Sequence, residues 1–381
     1  MWAMRGNAAN NLLFARQIIV DNGIAIVAGA NPVPLPAAFL ALSMRFGRER
    51  VSSAELLRHD ITAFAADWTA LVLCCALMAA LLAGAIARAT GATPRVVAIS
   101  AGIGSLLPAS WFITGYSMDY GFFNALPALI LLFAAIVVFL ESPHPALTLG
   151  LLALVGTALL AVWSPLIVVP ASIGAVVVAT HSRDIVAARG WVRAAAVVGV
   201  LQLLVYGLAV VLPGVLKHGE VLGAFGSIYD FPTVMLPAAS VSAMVLLALA
   251  VRTRRGPLVQ LTVAVVLGLM AGLVVMLAAA GWGWSYYPQK FAWLATVTLV
   301  VVMAGLIVPV LSGRGRLRLV PVIGLVAVGI LGVTLSSPVL PTGQRQEHPF
   351  LWILSGHVLG QGDDVAEQIF GLVDADHPRV Y

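Results

Sequence analysis

Thr62-Ala-Phe-Ala-Ala-Asp-Trp-Thr-Ala-Leu-Val-Leu-Cys-Cys-Ala-Leu-Met-Ala-Ala-Leu-Leu-Ala-Gly-Ala-Ile-Ala-Arg88 is the stretch that decides the fold of this chain. After Asp67 no charged side chain interrupts it until Arg88. A helix needs about 20 apolar residues to cross the hydrocarbon of a bilayer, and this run supplies them. The pattern recurs along all 381 residues, with only 10% charged residues and a mean hydropathy of +1.02. Charges collect between the apolar runs or near the chain ends. Any chemistry is therefore expected at the membrane faces rather than along a charged path through the bilayer.

Working outward from that run, the expected fold is all-α, a polytopic transmembrane bundle of about ten spans. They are Thr62–Arg88, Val96–Ile113, Gly121–Leu140, Ala146–Val162, Pro165–Thr180, Ala194–Leu216, Thr233–Val251, Pro257–Ala280, Phe291–Ser312 and Leu319–Ser337. The fourth and fifth are short and joined at Trp163-Ser164-Pro165, as two thin spans or a re-entrant hairpin. Residues 1–60 are expected as an outer loop with an interfacial helix, residues 61–337 as the bundle, and residues 338–381 as an outer segment of a domain cut short.

Arginines set the expected orientation. Arg88/Arg95, Arg183/Arg189/Arg193, Arg252/Arg254/Arg255 and Arg314/Arg316/Arg318 fall in loops of one parity, which the positive-inside rule makes cytoplasmic. Only Glu141 and Asp184 among the sixteen acidic residues share that side. The acids therefore mark the outer face. Residues 1–60 break the rule, with Arg5, Arg16, Arg45, Arg48, Arg50 and Arg58 on the side expected outside. A preceding transmembrane helix absent from this chain would remove the conflict. The opening residues do not form a secretory signal, because no apolar region follows a basic one. Nineteen Arg against two Lys, with abundant Ala, Val and Gly, point to a high-GC bacterial genome. The net charge of +5 comes from anchoring arginines and gives no sign of nucleic-acid binding. The adjacent Cys74 and Cys75 offer no disulfide framework.

The outer segments carry the candidate chemistry. Asn7 to Val20 places Leu12, Ala15, Ile18 and Ile19 on one helical side, with Arg16 and Gln17 away from it, as in an interfacial helix. Asp21-Asn22-Gly23 ends it with turn chemistry. Asn31-Pro-Val-Pro-Leu-Pro36 reads as too proline-rich for helix. Asp60 and Asp67 lie seven residues apart near one face of the first span. Each reads either as a helix-dipole partner or as a carboxylate facing a polar cavity. Asp119 lies in the short loop Thr114-Gly-Tyr-Ser-Met-Asp-Tyr-Gly121 with Trp111, Tyr116 and Tyr120, a set that suits sugar stacking or an aromatic belt. Lys290 follows Trp282, Trp284, Tyr286 and Tyr287. It can grip a lipid phosphate as a point charge or snorkel as an anchor. Lys217-His218, Arg345 and His348 are further phosphate candidates.

Asn10-Asn-Leu-Leu-Phe-Ala-Arg16, Trp163-Ser-Pro165 and Tyr286-Tyr-Pro-Gln-Lys-Phe-Ala-Trp293, with a large outer loop and outward acids, resemble the GT-C superfamily of membrane glycosyltransferases. The resemblance is architectural, covers most of the chain and rests on short motifs. It implies transfer of a sugar from a polyprenyl-phosphate donor to a glycan or lipid acceptor of the cell envelope, at the outer face of a bacterial plasma membrane. It also implies an acid early in the first outer loop, where this chain reads Gly6-Asn7. The base role then passes to Asp119, with Asp60, Asp67 and Asp21 in reserve. Lys290, Tyr286, Tyr287, Arg345 and His348 are the expected donor-binding set. The leaving phosphate needs Lys, Arg or a divalent metal (Mg2+ or Mn2+) beside it. Small Gly268 and Gly272 read as room for a lipid tail or as close helix packing.

Two other classes compete, a transporter or flippase of a lipid-linked sugar and a non-catalytic membrane scaffold. Proton- or sodium-coupled transport usually keeps ionisable groups at mid-membrane. Here only Gln202, Tyr206 and Gln260 offer polarity there. The topology predicts that residues 1–60, Asp119, Lys290 and the residues after Ser337 share one side, opposite Arg252–Arg255. Cysteine-accessibility labelling at the Lys290 and Arg254 positions should report opposite sides, and labelling from one side alone would overturn the scheme.

Overall fold

A computed structural model describes residues 7–24, 33–218, 231–250 and 256–312, and every regular element among them is helical. Six stretches are long and apolar enough to cross a membrane: Ser53–Ala89, Pro94–Asp119, Pro145–Ala187, Gly190–Lys217, Pro257–Ala279 and Tyr286–Ser312. The chain is a multi-pass helical membrane protein embedded in a lipid bilayer.

The expected ten spans are corrected to these six among the described residues. Ala125–Glu141 and Met235–Ala250 are helices of only 17 and 16 residues, about 25 Å long and short of the hydrocarbon thickness. The fourth and fifth expected spans fall in one stretch, Pro145–Ala187. The tenth, Leu319–Ser337, lies outside the described residues. So do Arg252–Arg255, Arg314–Arg318, Arg345, His348 and the rest of the expected outer segment 338–381.

Contacts divide the described residues into two units, the first holding those up to Cys74 together with Ala109–Pro127, the second Cys75–Pro108 and those from Ala128 onward. In the first unit, α1 (Ala8–Val20) packs on α2 (Leu35–Arg45), and short 3-10 turns lead into α3 (Leu56–Ala89). The proline-rich stretch expected to exclude helix instead starts one. Pro34 caps α2 and Pro36 sits in its first turn, where a missing N–H leaves no bond unmade. Phe64, Trp68 and Phe123 form a buried aromatic trio, with Phe64 and Trp68 ring centres 4.9 and 5.4 Å from Phe123. After a π-helical turn at Trp111–Gly115 comes the short α5 (Tyr116–Asp119).

The second unit holds α4 (Pro94–Leu106), α6 (Ala125–Glu141), α7 (Pro145–Trp163), α8 (Val168–Ala187), α9 (Gly190–Tyr206), α10 (Leu212–His218), α11 (Met235–Ala250), α12 (Pro257–Ala279) and α13 (Tyr286–Ser312). Three of them start with proline at the first helical position, Pro94, Pro145 and Pro257, where its fixed φ suits the helix. α13 packs against α4, α11 and α12, and every residue from Pro288 to Leu306 is buried. Gly156 faces Ile167 and Gly174 faces Leu149. α7 and α8 therefore run antiparallel about the Ser164–Ile167 turn. α9 exposes Leu201, Leu204 and Val205, the apolar surface expected of a helix that meets lipid. At one end of the unit Arg88 Nη2 meets Glu141 Oε1 at 3.2 Å in an exposed pair, worth about 0–1 kcal/mol.

Helices in this unit approach closely where glycine removes a side chain. A Cβ on Gly199 of α9 would stand 2.5 Å from the Gly150 carbonyl oxygen of α7, and one on Gly150 would stand 2.7 Å from the Ala195 oxygen. With no hydrophobic drive between helices in lipid, association rests on such contacts. Gly199→Ala should cost about 1–3 kcal/mol by forcing these backbones apart, read as a lower melting temperature in detergent. Gly102→Ala, with open space around it, should leave the melting temperature unchanged or slightly raised.

Candidate functional site

The first unit holds the acids singled out from the sequence. Asp119 ends α5 and is half-buried, beside the half-buried ring of Tyr120. Behind it runs a string of rings: Trp111 to Tyr116 at 5.7 Å, Tyr116 to Tyr120 at 5.0 Å and Tyr120 stacked on Phe122 at 5.3 Å. Ser110 Oγ and Trp111 Nε1 are buried without a hydrogen-bond partner. Polar groups in that state lose solvation without compensation.

The start of α1 docks on the loop that follows Asp119. The Asn7 amide donates to the Tyr120 carbonyl at 3.1 Å. Asn11 Nδ2 donates to the carbonyl oxygens of Asn7 at 2.8 Å and Gly121 at 3.3 Å. Gly121 adopts φ +66°, and a Cβ there would run into the Ala8 backbone, so only glycine permits the approach. Asn7, the residue standing where the GT-C resemblance expects an acid, is thereby brought beside the neighbour of Asp119.

Asp60 and Asp67 sit on α3 of the same unit, and both are buried. Asp60 is fully enclosed. Its Oδ2 accepts from Arg16 Nε at 2.8 Å, and its Oδ1 faces Arg48 Nη1 at 3.3 Å and His59 Nδ1 at 3.4 Å. Asp67 Oδ2 accepts from the Ser43 hydroxyl at 2.5 Å. Asp21 follows α1 and is exposed. Placing Arg16 away from the apolar side of α1 was a misreading. It shares the buried side with Leu12 and Ala15 because its charge is met by Asp60. The spacing of Leu12, Ala15 and Arg16 on one face was the available signal, and it acquires meaning only once Asp60 is seen to be the partner. Arg48, His59 and Ser43 were not singled out in the sequence and carry no motif there.

Lys290 belongs to the second unit. Its ammonium lies 5.4 Å from the Trp163 ring centre and 5.9 Å from that of Tyr286, and the residue is 3% exposed. A snorkelling lysine keeps its head in water, so this one is not an anchor of that kind. Desolvated cation–π contacts contribute about 2 kcal/mol. The neighbouring loop is pinned: Trp284 Nε1 donates to the Phe231 carbonyl at 2.8 Å, and Gln289 Nε2 donates to the Trp284 carbonyl at 2.8 Å. Tyr286 and Tyr287 are half-buried, with ring centres 5.0 Å apart. Gly268 and Gly272 turn out to serve packing, since a Cβ on them would strike Ser172 Oγ and the Phe291 ring. Lys217 is exposed at the end of α10.

Among the described residues no three His, Cys, Asp or Glu side chains stand close enough to hold a metal ion. Comparison with family models, characterised proteins and solved structures gives no match. The buried pair yields a stability prediction. Asp60→Ala strands two guanidinium groups and should lower stability by about 3–5 kcal/mol, measured by thermal unfolding of the purified chain in detergent.

Proposed function

We propose that this protein is a membrane glycosyltransferase of GT-C type, moving a sugar from a polyprenyl-phosphate donor to a cell-envelope acceptor at the outer membrane face. The observation that carries the reading is the docking of the first-loop helix, through Asn7 and Asn11, on the loop that follows Asp119. It holds the helix of the first loop against the segment that carries the half-buried Asp119 and Tyr120. That combination suits a sugar, which presents an apolar face to rings and hydroxyls to polar groups.

In this reading Asp119 accepts the proton of the acceptor hydroxyl as the oxygen attacks the anomeric carbon. The new C–O bond forms as the bond from that carbon to the phosphate oxygen breaks, and the phosphate leaves on its lipid. Lys290, with Tyr286 and Tyr287 beside it, belongs to the second unit and is the candidate there for holding a lipid phosphate. Its ammonium is covered by Trp163 and Tyr286, so a phosphate gains contact only after one of those rings turns aside. Asp60 and Asp67 are buried, whereas Asp119 is half-buried, and a base that meets an acceptor hydroxyl needs that exposure. Transport is the weaker reading, because Gln202 is exposed on α9 and Gln260 is exposed in the first turn of α12, rather than turned into an interior path.

The test is transfer of labelled sugar from polyprenyl-phosphate donors by the chain in nanodiscs. Asp119→Asn should lower turnover by about 100-fold or more with donor affinity kept, whereas Lys290→Ala should weaken donor binding itself. Full activity in Asp119→Asn would remove the assigned base.

A further inference from the structure

Where the chain passes from α8 into α9, one run of residues is sorted onto two faces. His181 leaves helical geometry at φ −129° and ψ 24°, which kinks α8 before its last residues. Beyond that kink Ile185, Ala188 and Val192 pack with Ala146 of α7 and Ala196 of α9 in a small apolar cluster. Their neighbours face the other way. Val186 is 81% exposed and Trp191 69%, and Arg183, Arg189 and Arg193 are exposed with them. Packing on the inner face thus fixes which side chains stand outside. The one acid in the run, Asp184, faces His181 at 3.4 Å. Trp191 also heads a stripe on α9, since Val198, Leu201 and Val205 follow it at spacings of one helical face and all are exposed. An exposed indole and isopropyl group are costly in water. This run, however, joins two membrane-spanning stretches, Pro145–Ala187 and Gly190–Lys217, so it sits where hydrocarbon gives way to headgroups. An indole is favoured at that level, and a guanidinium offers headgroup phosphates five donors in a planar fork.

We infer that Arg183, Arg189 and Arg193, with Val186 and Trp191 among them, form a docking surface for anionic phospholipid. The arginines take the headgroup phosphate, and Trp191 and Val186 enter the acyl boundary beneath it. Two features favour this occupant: the charge is complementary, and the surface continues the apolar stripe of α9 that meets lipid. It lies wholly in the second unit and goes beyond the glycosyltransferase reading, because it holds bilayer lipid rather than a sugar donor.

The experiment places the full chain in nanodiscs of mixed phosphatidylcholine and phosphatidylglycerol and counts the lipids retained on it by native mass spectrometry. Wild type should keep phosphatidylglycerol in preference to phosphatidylcholine. Arg189→Gln and Arg193→Gln should each weaken that preference by about fivefold, and Trp191→Ala should weaken it by a smaller factor. Arg45→Gln, which removes the same charge from the exposed end of α2, should leave it unchanged. Should either glutamine variant not fold, Arg189→Lys and Arg193→Lys carry the comparison, keeping the charge without the fork and losing part of the preference. Equal retention by wild type and the Arg189 and Arg193 variants overturns the surface. An equal loss in Arg45→Gln overturns it too, because net charge would then be the cause. Displacement of the lipid by inorganic phosphate would assign a free anion and likewise overturn it.

Discussion

In hydrocarbon a backbone N–H or C=O has no water to turn to, and every other feature of this protein follows from that constraint. Each spanning segment satisfies its own backbone by becoming helical, and the helices must then find one another without a hydrophobic drive. They do so by backbone proximity. Gly150 and Gly199 let α7 and α9 meet nearly main chain to main chain, and Gly305 brings α13 against the Ala83 carbonyl of α3. The buried length of α13 gathers α4, α11 and α12 in the second unit.

The same constraint explains how charge is handled. Few ionisable groups are admitted, and each buried one has a named companion: Asp60 has Arg16 and Arg48, Asp67 has Ser43, and Lys290 has two rings. Asp119 stands apart in being half-buried beside a half-exposed tyrosine, at a loop held by the first-loop helix. Burial, rather than any motif, separates Asp119 from the fully enclosed Asp60.

Much of the helical content was legible because hydropathy is a local property. Thr62–Arg88 lies within the observed Ser53–Ala89 stretch, and Pro257–Ala280 matches Pro257–Ala279. The errors came where length or partnership mattered. Gly121–Leu140 loses its first residues to a turn that begins at the positive φ of Gly121, leaving a helix too short to span. Pro34 and Pro36 read as breakers because their effect depends on whether they open or interrupt a helix, and they open α2. Arg16 read as an outward cation because its partner lies forty-four residues away.

By itself the sequence determined that this is a multi-pass helical membrane protein, since burial of apolar length in lipid depends only on consecutive side chains. It also singled out Asp119 and Lys290 by their rarity in such surroundings. Only the tertiary structure decided which acids are already paired, that the Lys290 ammonium is covered by Trp163 and Tyr286, that Gly268 and Gly272 fill a helix contact, and that Asn7 lies against the loop after Asp119. Those facts depend on groups distant in sequence meeting in space, and the free energy of a buried charge is set by what it meets.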